Sequence, residues 1–332
     1  MQAAQEGQAA QESQAAQEGL REPLSGRIGF RLRVPATSAN LGPGYDCMGL
    51  ALGWEDVIDV VAEPRRDPRA PRITVEITGQ GAQSLPRDAS HLVVALMERI
   101  LAERGYALPD LSVTAHNTIP HSRGLGSSAA AVATAVVAAS QLLPGGLTED
   151  EQLQIGSRVE GHPDNYVPAL RGGVALSWEA GGRFATVPLQ ALPQLRMVLA
   201  VPDFEQSTEA ARDLLPETVP HAEAARNSSR AALLVHALTE DPSVLMEATE
   251  DSLHQEYRRS AFPESMRLVD RLRGAGHAAV ISGAGPSVLV LTSGDQAAEA
   301  AAEVIGEEPG ETWTPMILPI SGTGATVEAH QR

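Results

Sequence analysis

The chain has 332 residues, of which 43% are hydrophobic and 20% charged, and it carries a formal net charge of -17. That is enough apolar material for two cores, with no apolar run reaching the roughly 20 residues of a membrane span, which predicts a soluble chain. The acidity argues against nucleic acid or an anionic membrane as partner, since both are polyanions. All 25 basic residues are arginine, which excludes a lysine-bearing P-loop and a protein-kinase site built on a strand lysine.

Taken in order, residues 2–19 repeat one hexapeptide as QAAQEG, QAAQES and QAAQEG. With no large apolar residue before Leu20 and no basic one before Arg21, they lack the marks of a signal or transit peptide, and residues 1–26 read as a disordered, low-complexity tail. "GFRLRV" predicts a strand ending at Val34, followed by the Pro/Gly loop "PATSANLGPGYD". The single cysteine, Cys47, rules out an internal disulfide and fits a reducing cytoplasm; among Tyr45, Met48 and Leu50 it reads as a small buried hydrophobe. "DVIDVVAE" and "RITVEITG" alternate as strands, "HLVVALMERILAERG" has helical spacing, and "LSVTAHNTIP" is again a strand. It leads into "PHSRGLGSSAAAVATAV", Pro120 to Val136, where glycines and serines precede an Ala/Val helix. "SRVEGHPDNYVPALRGGVALSW" reads as helix end, loop and strand.

The composition shifts around Gly181 and Gly182, which predicts a first unit over residues 27–190 and a second over 191–332. The second opens with the strand "LRMVLAVPD", continues with helical patterns at 207–215, 221–239 and 263–273, and reaches "HAAVISGAGPSVLVLTS", a strand, a glycine turn and a strand. A helix over 295–306 and a strand near "TWTPMILPI" follow, so the fold class is α+β.

Glycine-rich loops occur three times. A helix N-terminus leaves N–H groups unpaired and carries about +0.5 elementary charge, which suits it to phosphate. Gly124 and Gly126 let the backbone approach an anion, and of the hydroxyls of Ser127 and Ser128 one could cap the helix while the other touches a phosphate or Mg²⁺. Alone, the stretch fits equally a serine-capped helix with no ligand. Asn40 and Asp46 sit on a second such loop, and Gly283, Gly285 and Ser287 on a third.

Together the three loops resemble the motifs of the GHMP small-molecule kinases, whose phosphate loop works without a P-loop lysine. "VPATSANLGPGYDCMGLAL", "EGHPDN", "QSTEAAR" and "HQEYR" are most similar to the branch acting on homoserine, and the resemblance spans residues 28 to 325. It implies a two-domain GHMP kinase fold, with an N-terminal domain like ribosomal protein S5 domain 2 and a C-terminal ferredoxin-like α/β sandwich. It further implies ATP and Mg²⁺ as cofactors, L-homoserine as small-molecule substrate, O-phospho-L-homoserine as product and threonine precursor, and a cytoplasmic homodimer. By the same resemblance Pro120, Ser122, Arg123, Gly124, Leu125, Gly126, Ser127 and Ser128 hold ATP, and Ser128 and Glu160 reach the metal. Without the family, Glu160 before Gly161 reads as a solvated helix end.

Arg212 and Arg258 resemble a carboxylate clamp, whose planar forks match a carboxylate. The resemblance likewise implies that Asn40 and Asp46 face the ammonium, that Thr208, one helical turn before Arg212, helps align the substrate, and that Asp164 and Asn165 border the acceptor. Asn165 stands where some relatives carry an aspartate base; an asparagine orients a hydroxyl but takes no proton, so alignment and charge neutralisation are expected to drive catalysis. Asp164 is the alternative base, His162 is expected to support the loop, and Tyr166 to alter substrate fit. Gly283, Gly285 and Ser287 are expected to shape a turn beside the phosphate loop. Two other readings stay open: a GHMP kinase for mevalonate or a sugar, and a catalytically silent ligand sensor.

Overall fold

A computed structural model describes residues 20–204, 212–308 and 313–330. In chain order the first part runs β1 (Ile28–Ala39), β2 (Met48–Glu63), β3 (Ile73–Gly79), α1 (Leu92–Glu103), β4 (Asp110–Asn117), α2 (Ser127–Leu142), α3 (Glu149–Glu160), α4 (Tyr166–Arg171), β5 (Val174–Ala180) and β6 (Arg183–Leu189). The second runs β7 (Leu195–Pro202), α5 (His221–Thr239), α6 (Leu245–Ala248), α7 (Pro263–Gly274), β8 (Ala278–Ile281), β9 (Val288–Ser293), α8 (Asp295–Gly306), β10 (Trp313–Leu318) and β11 (Thr326–Ala329).

The first sheet has the order β11-β1-β2-β4-β3, with β5 and β6 branching from β2. Its pairs are antiparallel except β3 with β4, which are parallel and joined through α1. The second sheet is β10-β7-β9-β8, all antiparallel. The fold is α+β, as the alternation of strands and helices predicts. The α2 helix is buried on nearly every side, from Ala129 to Leu142, because its small Ala and Val side chains let neighbouring elements close in around it.

Several boundaries differ from the sequence reading. The first strand does not stop at Val34: it runs on to Ala39, with a register shift between Pro35 and Thr37. Proline lacks an N–H to donate to a ladder, and a bulge absorbs that defect without ending the strand. Gly181 and Gly182 form the turn of the β5–β6 hairpin. The chain passes to the second sheet between Leu189 and Leu195, close to residue 190, but β11 returns to pair with β1, Leu32 opposite Val327. A short helix, α4, occupies what reads as loop. Among the described residues no helix is long and apolar enough to cross a membrane.

Candidate active site

Asp56, buried on β2, sets the start of the glycine loop. Its carboxylate accepts the N–H groups of Thr118 at 2.6 Å and Ile119 at 2.9 Å, while burial pushes its pKa up. Beyond it the backbone turns through left-handed conformations at Ser122, Gly124 and Gly126. A Cβ on Gly124 would meet the Ser282 carbonyl oxygen at 2.2 Å, and one on Gly126 would meet Thr37 Oγ1 at 1.9 Å, so neither position admits a side chain. Gly126 is the N-cap of α2, with no side-chain cap. This corrects the expectation that a serine caps the helix: Ser127 and Ser128 already lie in the first turn, and the Ser128 hydroxyl donates to Glu160 Oε1 at 2.8 Å. The first N–H groups of α2 are thus left to an anion, which a phosphate fits.

The three loops converge here. Thr37 donates its N–H to Leu125 O at 3.1 Å and its hydroxyl to Asn165 Oδ1 at 2.8 Å. The Ser282 hydroxyl donates to Gly124 O at 2.6 Å and shares a bond with Ser38 Oγ at 2.8 Å. Asn40 Nδ2 donates to Gly283 O at 2.9 Å, and the Ser287 N–H donates to Arg123 O at 3.2 Å. Gly283 borders the cleft, whereas Gly285 and Ser287 lie behind it. Neither Pro120 nor Arg123 lines the cleft: the Arg123 guanidinium donates to the carbonyls of Pro202 at 3.0 Å and Asp203 at 2.7 Å, tying the loop to the end of β7.

The other end of the cleft is charged. Asn40 and Asp46 both adopt positive φ, and Asn40 Oδ1 accepts the Asp46 N–H at 2.9 Å. The Arg212 guanidinium donates to Asp46 Oδ1 at 2.8 Å. Arg258 is 1% exposed, lies 5.7 Å from the centre of the Tyr45 ring, and has Nη1 3.3 Å from His254 Nδ1. Because a carbonyl only accepts, the 2.8 Å bond between His254 Nε2 and Gly42 O puts the proton on Nε2 and leaves Nδ1 to accept from Arg258. Burial holds the pKa values of both His254 and Arg258 below their usual ranges.

Between the ends, buried Asp164 accepts from His162 Nδ1 at 2.6 Å and from the Asn165 N–H at 2.9 Å. The bond to Asp164 raises the His162 pKa, and burial raises that of Glu160. Asp46, His162 and Asp164 can bring one ligand atom each within 4.8 Å of one another. The cleft holds about 670 Å³ and extends from His91 and Leu92, at the start of α1, past Gly124–Ser128 to Asp46 and Arg212. Thr208 lies outside the described residues. Tyr166 does not reach the cleft: it is buried against Gly156 of α3, where a Cβ would sit 1.9 Å from its ring, and its hydroxyl donates to Gln152 O at 2.8 Å.

Comparison with known proteins places the chain in a family. Residues 91–173 match the GHMP kinases N terminal domain and residues 232–311 match GHMP kinases C terminal. A homoserine kinase of Streptomyces avermitilis is 45% identical over 301 residues, 90% of this chain and 95% of that one. The chain belongs to the homoserine kinases. A second homoserine kinase, from Clavibacter michiganensis, is 44% identical over 90% of this chain and 93% of its own. The crystal structure of homoserine kinase from Cytophaga hutchinsonii superposes with a TM-score of 0.79, covering 91% of this chain and 98% of that one; at 24% identity it speaks for the fold. Membership in the GHMP homoserine kinases brings ATP and a small-molecule substrate with it.

Reading the sequence singled out neither His254 nor Asp56 as a residue of the site. His254 stands in the "HQEYR" signature four positions before Arg258, a spacing that brings two side chains together in a turn. No local signal marks Asp56, because its two N–H partners lie 62 and 63 residues further along.

Proposed function

We propose that the chain transfers the γ-phosphoryl group of ATP to the side-chain hydroxyl of L-homoserine, giving O-phospho-L-homoserine, a precursor of threonine. The observation that carries this is one cleft joining an uncapped, glycine-cradled helix N-terminus to the Asp46–Arg212 pair, with Arg258 beside it. One end offers N–H groups to phosphate, and the other offers a cation and an anion to an amino-acid headgroup.

The N–H groups opening α2 hold the ATP phosphates, and the segment Pro120–Ser128 shapes their seat, Arg123 by anchoring it to β7. The Ser128 hydroxyl and Glu160 carboxylate are hard oxygen donors of the kind Mg²⁺ prefers, and they already face each other at 2.8 Å. Mg²⁺ held there would neutralise charge on the phosphate oxygens. Arg212 and Arg258 bind the substrate carboxylate; Asp46, braced by Asn40, binds its ammonium, and Thr208 helps align it. Asn165 Oδ1 is engaged by the Thr37 hydroxyl, which leaves its Nδ2 to orient the acceptor hydroxyl. Asp164 is held by His162 and the Asn165 N–H, so the reaction proceeds by alignment and charge neutralisation, and the proton leaves through phosphate or water. The Gly283–Ser287 turn keeps the phosphate loop in place. A cytoplasmic homodimer completes the proposal, with light scattering of the purified chain as the check on assembly.

The test is ADP release from Mg-ATP with L-homoserine, mevalonate, galactose or no acceptor. Homoserine-dependent release is expected, with kcat/KM falling about ten- to a hundred-fold in Arg212→Ala, the loss of one charge-assisted contact. Release with another acceptor would keep the kinase and replace the substrate. ATP binding without turnover on any acceptor would leave a ligand sensor.

A further inference from the structure

Asp46 and Arg212 are at once the charged groups read as substrate partners and partners of each other, 2.8 Å apart. Their side chains are 34% and 38% exposed and both line the cleft. They come from distant parts of the chain: Asp46 from the loop between β1 and β2, Arg212 from the segment after β7. An α-amino acid carries the same two charges on one carbon, so it offers each residue a replacement for its present partner.

We propose that the Asp46–Arg212 pair is a filter for zwitterions, opened by ion-pair exchange. The substrate carboxylate takes Arg212 as its ammonium takes Asp46, and the internal bond is given up for two new ones. The inference rests on the substrate roles given to these residues under the proposed function. A ligand with one charge alone also breaks the pair, but it satisfies one half and strands the other in a half-buried site. The protein therefore rejects singly charged analogues through its own ion pair, beyond the contact such analogues lack. An Asp46 charge acting independently would also repel an anion, but its removal would then help an anion equally in an Arg212→Gln background, whereas ion-pair exchange makes the gain depend on Arg212.

Calorimetric titration of the full chain with L-homoserine, 4-hydroxybutyrate (carboxylate without ammonium) and 3-amino-1-propanol (ammonium without carboxylate) separates the two. Asp46→Asn keeps the side-chain size, and asparagine tolerates the φ of 54° found there. With Arg212 released, this variant should bind homoserine more weakly yet bind 4-hydroxybutyrate about five-fold more tightly than the parent chain, the order expected of a half-exposed pair. Arg212→Gln should likewise bind 3-amino-1-propanol more tightly, and it reads the same exchange if Asp46→Asn fails to fold. If neither variant gains affinity for its singly charged ligand, or if Asp46→Asn tightens 4-hydroxybutyrate as much in the Arg212→Gln background as in the parent chain, while the parent chain still binds homoserine and both variants lose it, the filter is overturned and the substrate roles survive. If the parent chain does not bind homoserine, or both substitutions leave that binding unchanged, the substrate roles fall first and the filter with them.

Discussion

Arg258 is a full guanidinium with 1% of its surface exposed, a placement that costs free energy unless the charge is accommodated. The Tyr45 ring and His254 Nδ1 accommodate it from the protein side. His254 serves only while neutral, with Nε2 donating to Gly42 O, and its burial keeps it so. Gly42 belongs to the loop carrying Asn40 and Asp46, so one imidazole spaces the two sides of the cleft's charged end. His254→Asn should raise KM for homoserine about ten-fold, the scale of a lost buried hydrogen bond, with kcat and KM for ATP little changed. A lower melting temperature with both KM values unmoved would make it a structural residue only. Cys47 shows the quieter case: it is half-buried where the sequence reads a buried residue, and that partial burial, helped by Asp164 and Asp46, pushes its thiol up to about 11, so it stays protonated near neutrality.

At the scale of elements, α3 matters because its C-terminal residue is Glu160. Its N-terminus is fixed by a capping box: the Thr148 hydroxyl accepts the Glu151 N–H, and the Glu151 carboxylate accepts the Thr148 N–H at 2.8 Å. Bonds from the Thr148 N–H, the Thr148 hydroxyl and Arg104 hold the Glu151 pKa at about 2, against an ordinary 4.5. Folding thus favours the ionised form, so the contribution is present above pH 4.5 and is lost as pH falls toward about 2. Glu151→Gln should lower the melting temperature near neutral pH, and the gap to the parent chain should close across that window when followed by circular dichroism. A gap constant down to the acid limit would show that the carboxylate charge is irrelevant. This box is legible in "TEDE", since threonine followed three residues later by glutamate before a helical run is a start signal. The opposite packing of Tyr166 against Gly156 is not legible, because nothing local says that a tyrosine beside the acceptor loop turns into a helix behind it.

For the whole molecule, β7 is the hinge of the packing. Met197, Leu199 and Val201 point into a core shared with β1, β2 and α2, while Val198 and Ala200 point into a second core under α7 and α8. Residues on both sides of position 190 therefore share one apolar interior, and β11 carries the chain back to β1. We propose the division at 190/191 as one between two family modules that fold together. A single calorimetric transition is expected, with equal van't Hoff and calorimetric enthalpies. Two resolved transitions would show modules that unfold independently.

The sequence by itself determined the periodic elements, including helices over 221–239 and 295–306, and the three loops where glycine is required. Those signals are local: a spacing of 3.6 or 2, a cap, or a residue without Cβ. It also determined that phosphate must be held without lysine. Tertiary structure alone decided that β1 continues through Pro35, that the serines after Gly126 do not cap α2, and that Tyr166 is turned away from the cleft. Only there do Asp46 and Arg212, 166 residues apart, become one ion pair. Such contacts depend on which surfaces the packed sheets and helices bring together, and no window of sequence contains both partners.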